Sequence, residues 1–109
     1  MNIALSLGCS FILFGTYGEK KQSLEDFAES VFILQNKMTN AVMFSETELS
    51  AATLETEKKM HIACEPLNKA GSLQFDGLSV NFELAQHIKQ TVEGCEKAAQ
   101  QLEKMLLAP

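Results

Sequence analysis

The sequence predicts an all-α fold, an up-down bundle of three long helices preceded by an apolar N-terminal segment. Small and apolar residues recur at intervals of three and four in a first stretch: Leu24, Phe27, Val31, Leu34, Met38 and Ala41. They do so again in a second stretch: Ala85, Ile88, Val92, Cys95, Ala99, Leu102 and Leu106. This spacing places each set on one narrow stripe of a helix, which is typical of helices packed nearly parallel or antiparallel.

Capping signals predict where the first two helices begin. Ser23, with Asp26 three residues later, indicates a helix over about 24–44. Ser45 and Glu48 form a stronger capping box and predict a second helix beginning near residue 46. The expected inward stripe of this second helix consists of small and apolar residues: Leu49, Ala52, Thr56, Met60 and Ala63.

The third helix is predicted to follow a loop. Pro66 marks a break near the end of the second helix, because proline cannot donate a backbone hydrogen bond. Residues 67–78 are predicted to form a loop because they contain four turn-forming residues: Asn68, Gly71, Asp76 and Gly77. Ser79 then caps a third helix that runs to about Leu107.

Length and charge limit the classes of function. The chain has 109 residues, so we expect one bundle domain over residues 19–109. Its net charge is −5, its nine cationic residues are all lysines, and it has no tryptophan. Binding to nucleic acid depends on cations that neutralise phosphates and on aromatic residues that stack with bases. We therefore expect neither nucleic-acid binding nor adsorption to an anionic membrane through a basic patch.

The apolar N-terminal segment, residues 1–18, has no charged side chain after the terminal amine. Its apolar core, Ile3–Phe14, suits a secretory signal peptide, with Thr16 and Gly18 as small residues before a cleavage point. The run is too short for a spanning helix, but it also suits a packed helix or a membrane contact through residues 3–16. The signal interpretation predicts an exported or periplasmic protein; the others predict a cytoplasmic or membrane-associated one.

Four large apolar residues of the first helix lie off its stripe: Phe32, Ile33, Met43 and Phe44. Each would cost about 1 kcal/mol or more if it were left in water, so something is expected to cover them. Residues 3–16 could pack there as a fourth element of the bundle. The other candidate is a protein partner or a second copy of the chain, because exposed apolar patches mark interaction sites.

The cysteines offer one candidate disulfide. If Cys9 leaves with a signal peptide, Cys64 and Cys95 remain as a pair in an exported chain. In a simple helical hairpin, however, Cys95 would lie about 24 Å below Cys64, farther than a disulfide spans. We therefore favour Cys95 as a small core residue, unless residues 66–78 continue upward and the third helix begins well above Cys64. Without a CxxC motif, neither redox catalysis nor structural zinc is expected.

Catalytic and metal-binding patterns are weak. Glu57 with His61, and Glu83 with His87, each place a carboxylate and an imidazole on one helix face. Both histidines fall away from the apolar stripes, so solvated ion pairs are the favoured interpretation, and we expect no metal or cofactor. No catalytic triad or phosphate-binding glycine loop is present in the sequence. We expect a non-enzymatic protein that acts by protein–protein interaction, as an adaptor, inhibitor or assembly subunit; the alternative is a small metal- or ligand-carrying bundle.

Overall fold

A computed structural model describes residues 19–107, with side chains from residue 24 onward. This part of the chain contains four helices: α1 Glu19–Met43, α2 Ala51–Ala63, α3 Glu65–Phe75 and α4 Phe82–Leu107. It contains no strand, so the all-α prediction is confirmed. The predicted apolar N-terminal segment, residues 1–18, and its candidate roles lie outside the described residues.

Helix α4 is the element against which the other three helices pack, and its contacts with α2 and α1 are the most extensive. Its predicted stripe is confirmed, because six of its seven members are buried: Ala85, Ile88, Val92, Cys95, Ala99 and Leu102. The seventh, Leu106, is partly buried against the same core. Burial of this apolar stripe, rather than helix propensity, is what stabilises α4 in water.

Asn81, and not Ser79, caps the start of α4. The side-chain Oδ1 of Asn81 accepts a hydrogen bond from the backbone N–H of Leu84 at 2.8 Å. Its backbone carbonyl accepts from the N–H of Ala85 at 3.0 Å. The predicted cap at Ser79 is therefore wrong, since asparagine two residues later can satisfy the free N–H groups of the first turn.

Helix α1 begins at Glu19, so the predicted cap Ser23 lies inside the helix. Val31 and Met38 are buried as expected, but Ala41 is exposed. Gln35 is buried instead, so the buried face of α1 is rotated from the predicted stripe toward Gln35. The stripe in α1 was therefore only partly correct, because a buried glutamine is invisible to a search for apolar spacing.

Helix α2 begins at Ala51, five residues later than its predicted start near residue 46. The Oγ of Ser50 accepts a hydrogen bond from the backbone N–H of Thr53 at 3.1 Å and caps the helix. The predicted cap, Ser45, instead donates through its hydroxyl to the carbonyl of Thr47 within the loop. The buried residues of α2 are Thr53 and Met60, so the expected stripe is correct at Met60.

Helix α3 occupies the region that was predicted to be a loop. Pro66 lies in its first turn, where proline is tolerated because the N–H groups there have no partner within the helix. Leu67 and Ala70 are buried at a spacing of three, and Leu73 packs against the same core. The loop prediction was wrong because burial of these three apolar residues outweighs the weak helix propensity of Asn68 and Gly71.

The end of α3 is a Schellman motif, which is where the turn-forming residues do act as predicted. Gly77 has a φ of 78°, a left-handed conformation that glycine adopts without steric cost. The N–H of Leu78 donates to the carbonyl of Leu73 at 2.8 Å, and the N–H of Gly77 donates to that of Gln74 at 3.0 Å. These two bonds satisfy carbonyls that the helix end would otherwise leave free.

A reciprocal amide pair joins α1 to α3. The Nε2 of Gln35 donates to Oδ1 of Asn68 at 2.6 Å, and the Nδ2 of Asn68 donates to Oε1 of Gln35 at 2.9 Å. Because a buried amide costs free energy unless it is hydrogen-bonded, each side chain satisfies the other. The pair therefore links α1 to α3 through two side-chain hydrogen bonds.

The structure joins Cys64 and Cys95 in a disulfide, with 4.7 Å between their Cα atoms. The hairpin geometry that disfavoured this bridge assumed a loop after Pro66. Helix α3 instead adds 11 residues beyond Cys64, so α4 begins well above it and returns to the same level at Cys95. The hydroxyl of Thr56 also lies 3.1 Å from the sulfur of Met105. Since the later residue of the α2 side contacts the earlier residue of α4 in these two contacts, α2 and α4 run in opposite directions.

Candidate functional site

The end of α1 presents two adjacent large apolar side chains to solvent. Met43 is 65% exposed and Phe44 is 73% exposed. The N–H of Phe44 donates to the carbonyl of Asn40 at 2.9 Å, and that of Ser45 donates to the carbonyl of Val42 at 3.3 Å. These helix-type bonds hold the backbone of both residues, so the two side chains project from an ordered position.

The surroundings of this apolar pair are acidic. Glu46 and Glu48 lie in the loop that follows, and both are exposed. The last turn of α1 contains no basic residue, and the carbonyl end of a helix carries a partial negative charge. We call Met43, Phe44, Glu46 and Glu48 together the α1-end surface. It combines exposed apolar area with the negative charge of two carboxylates.

Two further exposed apolar residues lie at the same end of the molecule. Leu54 is in the first turn of α2, directly after the loop, and it is partly solvated. Leu107 ends α4 and is exposed. The contact between Thr56 and Met105 brings the last turns of α4 beside the beginning of α2. The exposed apolar area at this end therefore comes from three helices.

The other two predicted interaction residues do not belong to this surface. Phe32 is partly buried and packs against the core, because the buried face of α1 is rotated toward it. Ile33 is exposed but lies ten residues before Met43, about 15 Å away along the helix. The structure thus exposes both Met43 and Phe44 at the end of α1 and separates them from Phe32 and Ile33.

A second exposed apolar cluster surrounds the connection between α3 and α4. We call Phe75, Leu78 and Phe82 the tip surface. Phe75 is 90% exposed, Phe82 is 73% exposed, and Leu78 is more than half exposed. Sequence reasoning missed this surface because it assigned Phe75 and Leu78 to a loop and Phe82 to the first turn of a helix capped by Ser79. The signal was present as two phenylalanines flanking a turn-forming Asp-Gly pair.

Among the described residues, neither histidine pair is part of a candidate metal site. The Nε2 of His61 lies 3.4 Å from Oε2 of Glu57 on the outside of α2. His87 is exposed on α4. Within the part of the chain that the structure describes, no group of three potential metal ligands is found.

Comparison with known proteins does not assign this chain to a family. No family model, no curated protein and no solved structure matches this chain. Within residues 19–107, none of the four helices combines the length and the apolar character that a membrane-spanning helix needs.

Proposed function

We propose that this chain is a non-enzymatic helical-bundle protein that acts by protein–protein interaction through the α1-end surface. Its role would be that of an adaptor, inhibitor or assembly subunit, with a protein partner or a second copy of the chain as the bound molecule. The observation that supports it is the exposure of Met43 and Phe44, side by side, at an ordered helix end. Contiguous patches of exposed apolar side chains on a folded domain are typical of interaction sites.

We also infer the finer fold, an up-down bundle in which α2 and α3 together form the middle of three rods. The lengths support this: α1 has 25 residues, α2 and α3 are separated only by Cys64, and α4 has 26. The opposite directions of α2 and α4 support it as well. In this arrangement the α1-end surface lies at the end of the bundle where α2 begins and α4 finishes.

A double substitution tests the proposal. Met43→Asp with Phe44→Asp in the full chain should abolish capture of its partner in the native host, or its self-association in sedimentation velocity, because it removes the apolar anchors and adds negative charge. Ile62→Asp is the matched control, since Ile62 is 65% exposed on α2 and lies outside the surface. If both variants retain the same partners and the same association state as the unchanged protein, the proposal fails.

We further propose that the protein works in an oxidising compartment, as an exported or periplasmic chain. The support is the Cys64–Cys95 bridge, since disulfides persist outside the reducing cytosol. The intact mass of protein purified from its native host should therefore rise by two hydrogens on reduction. Cleavage after Gly18 would appear in the same measurement. Protein that accepts alkylation at Cys64 and Cys95 without prior reduction, when unfolded in denaturant, would contradict this location.

A further inference from the structure

We propose that the tip surface is a second docking site, which binds a cationic amphipathic helix of a partner protein. The two phenylalanines supply the apolar contact, and the neighbouring carboxylates favour a positively charged partner. This inference concerns a different surface from the α1-end surface. It makes the chain a bridge between two bound molecules rather than a module with one binding end.

The tip surface is held in place on both sides. Before it, the Schellman motif ends α3 with hydrogen bonds from Gly77 and Leu78. After it, Asn81 caps α4 through its side chain and its carbonyl. Phe75 is the last residue of α3 and Phe82 the first of α4, so both aromatic side chains extend from capped helix ends. Binding to preorganised anchors costs less conformational entropy, which favours these residues as binding hot spots.

The chain segment that forms the tip surface carries negative charge. Asp76 and Glu83 adjoin the two phenylalanines and are exposed. No lysine or arginine occurs in the sequence between Lys69 and Lys89, and the chain as a whole carries a net charge of −5. A partner with lysines or arginines beside its apolar residues would complement this charge and associate faster.

The same charge disfavours the other candidates. A second copy would bring Asp76 and Glu83 of two chains together, and like charges across an interface oppose association. The anionic headgroups of a membrane surface would be repelled as well. A cationic amphipathic helix avoids both costs, because it offers an apolar stripe to Phe75 and Phe82 and positive charge at the rim.

The two surfaces lie at opposite ends of the molecule. Helix α4 begins at Phe82, beside the tip surface, and ends at Leu107, where α2 begins. Its 26 residues span about 39 Å. Two partners bound at this separation would not compete for space, so substitutions at one end should leave binding at the other unchanged.

The test uses two labelled model peptides of about 18 residues, one an amphipathic helix of leucine and lysine and the other of leucine and glutamate. Fluorescence anisotropy with the full-length protein should detect binding of the lysine peptide only, weakened by salt. Phe75→Gln with Phe82→Gln should reduce the affinity by roughly tenfold or more, whereas the control Ile62→Gln should not. Because both phenylalanines are exposed, circular dichroism should find the variant folded.

Other results would overturn the inference in distinguishable ways. Absence of binding, equal binding of both peptides, or binding unaffected by the phenylalanine substitutions would end it. If only Met43→Gln with Phe44→Gln weakened binding, this inference would fail while the proposed function remained. A dimer abolished by Phe75→Gln with Phe82→Gln would assign the tip to a second copy. Fluorine-19 resonances of labelled Phe75 and Phe82 that are shielded from solvent in the free monomer would assign it to another part of the chain.

Discussion

Removing the Cys64–Cys95 disulfide is expected to lower the free energy of unfolding by about 3–4 kcal/mol. The bridge closes a loop with a sequence separation of 31, and the unfolded chain gains the corresponding conformational entropy when the bridge is absent. For a domain of this size, the loss corresponds to a fall of roughly 12 °C or more in the melting temperature. Urea denaturation of the double variant Cys64→Ala, Cys95→Ala measures it directly.

The control for this experiment is a reducing agent. Reduction should destabilise the unchanged protein by a similar amount and should leave the double alanine variant unaffected. Both sulfurs belong to buried residues, so reduction is expected to be slow in the folded state and fast in denaturant. Equal unfolding curves for the oxidised protein and the double variant would contradict a stabilising role for the bridge.

The substitution Leu102→Ala is expected to cost about 2–5 kcal/mol. Leu102 is completely buried in the stripe of α4, so truncation removes apolar contacts and leaves a cavity among side chains of several helices. A cavity in a core of this size has few neighbours able to collapse into it. Chemical denaturation should therefore show a lower midpoint with a similar slope.

Leu107→Ala makes the matched control, because it is the same change in the same helix at an exposed position. We expect it to change stability by less than about 0.5 kcal/mol. A comparable loss for both leucines would contradict burial of the stripe as the main source of stability in α4, because alanine has a higher helix propensity than leucine. The comparison thus tests the assignment of the core independently of the disulfide.

The buried faces of the two long helices, α1 and α4, were predicted with different success. In α4 the buried residues are small or apolar throughout, so the three-four spacing alone identifies them. In α1 the buried face includes Gln35, whose burial depends on the amide of Asn68, 33 residues away in the chain. Periodicity of apolar residues therefore predicted the existence of α1 but misjudged its rotation, and with it the position of Phe32.

The interaction surfaces were predictable only in part. Met43 and Phe44 were identified because they are large, apolar and off the stripe, and the structure places both in solvent. Phe75 and Phe82 were not identified, since their exposure depends on where α3 ends and α4 begins. If residues 67–78 are assigned to a loop, no helix end is predicted from which these two side chains could extend into solvent.

The amino-acid sequence by itself determined that this chain is helical and which face of α4 is buried, because both follow from local spacing along one helix. Only the tertiary structure decided the state of residues 65–75, where burial of Leu67 and Ala70 makes a helix from a segment rich in turn formers. That helix in turn decides the pairing of Cys64 with Cys95, since its length sets how far α4 must descend to meet the junction of α2 and α3. The physical reason is that helix propensity is a small local free energy, whereas the burial that overrides it depends on residues distant in the chain.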